Sequence, residues 1–177
     1  YLKGLRSFVR EQTENNLGHG LGHARKVALD AGTIAAIEAE RDEYAAHHVT
    51  HLIFMAHCAG LLHDIRRSRQ DHAAEGARAA RDILEQNAAL LKQADIDAIA
   101  FAIKNHEAFK NVSKSELPVD MLMSGCLYDA DKFRWGPDNF THTVWDMVEI
   151  APPPLSKFVY LYPRALDFIA GIKTTFR

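Results

Sequence analysis

The sequence predicts an all-α protein, a single-domain helical bundle, and three observations point to it. Proline is absent before Pro118. Ala, Leu, Glu, Arg and Lys dominate that stretch, so intrinsic helix propensity is high throughout. Apolar residues recur at helical spacing in window after window, and β-branched runs are scarce.

The elements follow in order. Leu2, Leu5, Phe8 and Val9 mark a first helix that ends near Asn15 and Asn16, where a loop with Gly18, Gly20 and Gly22 begins. A second helix is predicted over residues 22–43, with Val27, Ala31, Ile34 and either Ile37 or Ala35 inward. A third, over 46–65, is apolar nearly all round between Leu52 and Leu62, which places it at the centre of a bundle. A polar connection, Arg66 to Asp71, leads to a fourth helix over 72–86 that packs through Ala73, Gly76, Ala77, Ala80, Ile83 and Leu84.

The fifth helix is expected over 92–108, on Ile96, Ile99, Ala100 and Ile103. Pro118 suits the first turn of a sixth, which carries Met121 to Tyr128 and stops at Gly136 and Pro137. A short helix around 141–150, a break at Pro152, Pro153 and Pro154, and a last helix over 155–172, kinked or split at Pro163, complete the chain. No repeat, low-complexity tract or long linker divides it, so residues 1–177 read as one domain.

A chain of 177 residues can bury a sizeable core, and 47% hydrophobic with 25% charged residues is ordinary for a globular domain. The net charge of −2 gives no bulk attraction to nucleic acid or to an anionic membrane. Any anionic substrate must therefore be drawn in locally. Cys58 and Cys126 lie in apolar stretches without a CxxC partner and read as buried free thiols. The basic N-terminus has no apolar segment of signal-peptide type, and the longest apolar run is too short to span a bilayer. A cytoplasmic protein with no membrane partner is the expectation.

Ten histidines is the unusual count. His23 opens the second predicted helix, His63 and Asp64 end the third, His72 opens the fourth, His106 closes the fifth and Asp131 ends the sixth. Side chains at helix ends can converge on one cavity of a bundle, as metal sites there require. His63 and Asp64 point about 100° apart on a helix, so both can face one ion, or the carboxylate can bridge two. Imidazole with carboxylate suits Mn, Fe, Zn, Ni or Co. An aspartate buried after Leu61 and Leu62 is costly without a cation or a strong hydrogen-bond partner.

A lone His-Asp pair carries little weight. The ordered set is more specific: His23-Ala-Arg-Lys-Val, Gly60-Leu-Leu-His63-Asp64-Ile, His72-Ala-Ala-Glu-Gly-Ala, Ile103-Lys-Asn-His106-Glu and Tyr128-Asp-Ala-Asp131-Lys. It resembles the HD-domain superfamily of metal-dependent phosphohydrolases, over residues 15–136, leaving 137–177 as a helical extension. The resemblance implies that His23, His63, Asp64 and Asp131 are metal ligands. It further implies that His72 and His106 serve a second ion, with Asp64 bridging the two.

The activity implied is hydrolysis of a small phosphorylated molecule, most naturally a nucleotide, by hydroxide formed at a divalent transition metal. Asp64, Lys132, Arg66 and Arg67 are the candidate catalytic residues, the three cations as phosphate contacts beside the ligands and Lys132 foremost, because Asp129-Ala-Asp131-Lys132 resembles a recurrent signature of the superfamily. The resemblance leaves two other functions open: oxygen-dependent cleavage at a di-iron centre, as some members of the superfamily perform, and a nucleotide-binding or sensing domain without turnover. The oligomeric state is left open by the sequence.

Blander alternatives exist for several residues. Asp71-His72 also fits a capped helix start, and His106 a helix end favoured by the dipole. His19 is read as loop, His47, His48 and His51 as the exposed start of the third helix, and His142 as surface. His57 is read as a hydrogen-bonded core residue or a support to the ligands, and Glu107 as an acid supporting the ligands or, in preference, an exposed helix-end carboxylate. Arg66, Arg67 and Arg69 also fit a solvated turn.

Overall fold

In the computed structural model the described residues are 2–12, 20–41, 43–86, 90–108, 110–132, 152, 154–157, 159–160, 163 and 171–174. Seven helices account for most of them: α1 (Leu2–Gln12), α2 (Leu21–Ala39), α3 (Glu43–Ala46), α4 (Val49–Leu62), α5 (His72–Glu85), α6 (Gln93–Lys104) and α7 (Pro118–Lys132). Among the described residues there is no strand, so the all-α expectation holds there. Among the described residues no helix is long and apolar enough to cross a membrane.

The central helix is α4, as its near-continuous apolar sequence requires. It packs against α1, α2, α6 and α7, with Leu52, Met55, Leu61 and Leu62 buried. Each such side chain contributes about 1.5–3 kcal/mol of transfer free energy, so this helix anchors the bundle. Its closest approach is to α2. A Cβ on Gly60 would stand 2.4 Å from the Ala28 Cα, so only glycine lets the two backbones meet. The facing stripe of α2 is correspondingly small, with Ala24, Ala28, Ala31, Gly32 and Ala35 buried. The second inward choice on that helix falls to Ala35, since Ile37 is only partly buried. The other expected faces are buried largely as predicted, through Leu5 and Val9 of α1, Ala73 to Leu84 of α5 and Ile96 to Ile103 of α6.

Several boundaries differ from the sequence expectation. Helix α2 stops at Ala39, where the Glu40 backbone N–H turns in to the Ala36 and Glu38 carbonyls. The charged run from Glu40 to Glu43 offers no apolar face to prolong it. The predicted third helix is divided by a turn at His47 and His48, and its long part ends at Leu62 rather than Ile65. Helix α6 ends at Lys104, four residues early, because Asn105 leaves helical geometry; its side-chain oxygen accepts the Ser113 backbone N–H. His106 therefore lies beyond the helix and does not close it. The final predicted helix does not reach Ile172, since Gly171–Thr174 form a turn and a bend joined by irregular chain, held by the buried Asp129 carboxylate, which accepts the Lys173 and Thr174 N–H groups. The predicted helix over 141–150, together with His19 and His142, lies outside the described residues.

Candidate metal centre

The polar segment after α4 organises the centre. Ile65, Arg67 and Arg69 each donate their backbone N–H to the carbonyl three residues earlier, at 3.2, 3.0 and 2.9 Å. Such tightened turns bring side chains three apart onto one side, so Asp64 and Arg67 share a face. Ile65 is buried and pins the turn to the core. Helix α5 then begins at His72 and passes so close that a Cβ on Gly76 would lie 3.3 Å from the His63 carbonyl oxygen. Gly76 thus sets the distance between the turn and α5.

Four elements deliver their side chains to this place. His23 comes from the first turn of α2, His63 and Asp64 from the end of α4, His72 from the start of α5, and His106 from just past α6. Two triads of potential ligand atoms result, His23–His63–Asp64 and Asp64–His72–His106, with the atoms of each triad within 4.8 Å of one another. Asp64 belongs to both. Its Oδ2 is 3.4 Å from His63 Nε2, while its Oδ1 is 3.4 Å from His106 Nε2 and 3.9 Å from His72 Nε2. Donors about 2.1 Å from one ion stand about 3.0–3.4 Å apart at octahedral or tetrahedral angles, so these separations are close to those of a ligand set.

Orientation supports the same view. His63 Nδ1 donates to the Gly60 carbonyl at 2.8 Å, and His106 Nδ1 donates to the Ile103 carbonyl at 2.6 Å. With Nδ1 carrying the proton, each ring presents the Nε2 lone pair to Asp64, the tautomer that metal ligation needs. His63 Nε2 and Asp64 Oδ1 are buried and make no hydrogen bond, an arrangement that costs stability unless a cation satisfies them. The donor chemistry, imidazoles with a shared carboxylate, fits a divalent transition metal. The buried His/Asp clusters could therefore hold a metal ion.

Asp131 lies at the edge of the first triad, with Oδ1 3.2 Å from His23 Nε2 and 3.8 Å from His63 Nε2. Both carboxylates stay ionised. Burial pushes the Asp64 carboxyl up, but His63 and His106 together pull it well below the usual range. Burial likewise opposes ionisation of Asp131, and Lys132, His23 and His63 overcome it. For His63, burial disfavours the proton while Asp64 and Asp131 favour it, and the net shift is upward. The His72 pKa is lowered, first by burial and then by Arg67. The centre as a whole attracts positive charge.

The cations and acids around it fall out unevenly. Arg67 enters the site, with Nη1 2.9 Å from His72 Nε2 and 3.7 Å from Asp64 Oδ1. Lys132 is occupied in an ion pair with Asp131. The Arg66 side chain makes no ion pair or hydrogen bond among the described residues, so the structure does not bring it to the centre. Arg69 lies 3.9 Å from Glu75 on the surface.

Three histidine and glutamate expectations change. Glu107 is not a plain exposed carboxylate: its Oε1 is 3.7 Å from His72 Nδ1 and its Oε2 accepts from Lys110 at 2.7 Å. Burial raises its pKa, but Lys110 and His72 bring it below the ordinary value. His57 does not support the ligands. It is half-buried over Gly32, where an added Cβ would lie 2.4 Å from its Nε2. His51 bridges α4 to α6 through Asp95, at 3.1 Å, whereas His47 and His48 are exposed as expected. Cys58 and Cys126 are free and buried.

Sequence reasoning missed the close approach at Gly60 and, though it put Gly76 on a packing face, the nearness of Gly76 to the His63 carbonyl. For Gly60 a signal was present, since a glycine inside a buried apolar helix marks a close backbone approach. For Glu107 a supporting role was one of two readings, and the contact that decides between them depends on His72 arriving from another helix. No protein-family model matches this chain, and neither a curated protein nor a solved structure is found to match it.

Proposed function

We propose that this protein is a metal-dependent phosphohydrolase of the HD-domain type, acting on a small phosphorylated metabolite, with nucleotides the leading class. The observation that carries it is the sharing of Asp64 between two triads whose rings, at His63 and His106, are turned to it by backbone carbonyls. His23, His63, Asp64 and Asp131 would hold one ion, and Asp64, His72 and His106 a second. Divalent ions held there would supply hydroxide at neutral pH and polarise phosphoryl oxygens.

The chain's own groups do the rest. Asp64 and Asp131 supply the negative charge that retains cations, and their burial keeps competing water and salt from weakening it. Arg67, 41% exposed and the cation nearest the ligands on the open side, is the phosphate contact best placed to meet a substrate. Lys132 acts chiefly by holding Asp131.

The test is elemental analysis of purified protein together with a phosphorylated-metabolite panel on wild type and Asp64→Ala. Wild type should carry transition metal and release phosphate from part of the panel, while Asp64→Ala should do neither. Metal-free wild type, or hydrolysis undiminished in the variant, would sink the assignment. Iron with an oxygen requirement and no phosphoester turnover would instead establish di-iron cleavage chemistry.

A further inference from the structure

The two triads are alike in composition but not in what occupies the space beside them. At the outer one, Arg67 Nη1 is 2.9 Å from His72 Nε2 and 3.7 Å from Asp64 Oδ1. Those are two of the three atoms that would bind the second ion. A guanidinium has only donors, so His72 Nε2 must accept from it and carry its own proton on Nδ1. That Nδ1 faces Glu107 Oε1 at 3.7 Å. His72 is therefore already in the tautomer and orientation that ligation through Nε2 requires, with a guanidinium in the place of the ion.

We infer that the Arg67 side chain is the resident cation of the outer half, standing between Asp64 and His72 until a second divalent ion displaces it. The inference rests on the metal reading of the centre but not on phosphoester hydrolysis. The tight turn after α4 brings residues 64 and 67 to one side, so Arg67 reaches Asp64 without strain. Its charge is permanent, and it lies on a long side chain that is 41% exposed, so it can leave toward solvent. Loading is consequently ordered. The inner site, with His23, His63, Asp64 and Asp131, fills first, because Lys132 pairs with Asp131 through Oδ2 and leaves Oδ1 facing His23 and His63, whereas the outer site must expel Arg67 against the repulsion between its charge and the incoming ion.

The experiment is titration of chelator-treated wild type, Arg67→Gln and Asp64→Ala with Mn2+, following free ion by electron paramagnetic resonance. Wild type should bind in two unequal steps. In Arg67→Gln the second dissociation constant should fall about tenfold or more, because the competing charge is gone, with the first step within about twofold. Equal steps in wild type, a single ion in both proteins, or a second step unchanged or weakened in Arg67→Gln would each overturn the inference while leaving a metal centre. Absence of Mn2+ binding by wild type would instead overturn the metal reading itself. Arg67 lies in an exposed turn, and matched thermal melts of wild type and Arg67→Gln establish that the comparison is made on folded protein.

Discussion

The inner half of the centre, His23 with His63 and Asp131, and the outer half, His72 with His106, use the same side-chain chemistry in different surroundings. The inner side chains are at most 8% exposed and sit on α2, α4 and α7, helices locked together by the bundle core. The outer side chains are scarcely more exposed, His72 11% and His106 1%, but that half is bordered by Arg67, 41% exposed, and is carried partly by turns. Burial fixes geometry and strengthens electrostatics, whereas partial exposure allows a cation to come and go. The comparison teaches that two triads that could hold metal ions around one carboxylate need not be equivalent.

The largest effect is expected where both halves are lost at once. Gly60→Val drives a side chain into the Ala28 backbone and forces α2 away from α4. It should cost about 3 kcal/mol, and a melting temperature lower by roughly 6–12 °C. Metal content should fall with it, because His23 rides on α2. A melt within about 2 °C of wild type would show that the close approach is not needed.

Separating the halves comes next. His106→Ala should abolish the outer site and leave the inner ion bound, whereas His23→Ala should weaken the inner ion first. Elemental analysis after gel filtration counts the ions retained by each variant. Identical losses in the two proteins would make the halves a single site.

A smaller effect is expected for Glu107→Gln, which removes the carboxylate facing His72 Nδ1. Partners of this kind are worth about 10–100-fold in metal affinity, and at 3.7 Å the lower end, about tenfold, is expected for the outer ion alone. Calorimetric titration would show it, and an equal change in the inner step would contradict the assignment of Glu107 to one half.

The smallest effect is a null one. Burial pushes the Cys58 thiol up to about 12 and the Cys126 thiol also far above its ordinary value. At pH 8 only roughly one Cys58 in ten thousand is thiolate, the reactive form. A disulfide-exchange reagent should therefore modify neither cysteine in folded protein and both after denaturation. Fast labelling of the native chain would mean that the packing around α4 and α7 is looser than the inner half requires.

Much of this was legible in the residues alone. The all-round apolar run from Leu52 to Leu62 could only be a central helix, and the His63-Asp64 pair at its end had to meet something polar. His23, His72 and His106 could be picked out as partners because they fall at predicted helix ends. Boundaries were less legible. Nothing local says that Asn105 leaves the helix, since its hydrogen bond to Ser113 spans a loop. That departure frees His106 to turn its Nε2 toward Asp64.

By itself the sequence determined periodicity, composition and spacing, and these follow from properties each residue carries within its own segment. They gave eight helical segments, six of which lie largely within the described residues, but not the separate helix α3 or the turn at His47 and His48. Tertiary structure alone decided which side chains became neighbours. It placed Asp64 between two triads, turned Asp129 to the backbone of residues 173–174 and set Arg67 rather than Arg66 against the ligands. The physical reason is that such contacts depend on distances between helices, and those are fixed by packing at Gly60 and Gly76, far along the chain from several of the groups they bring together.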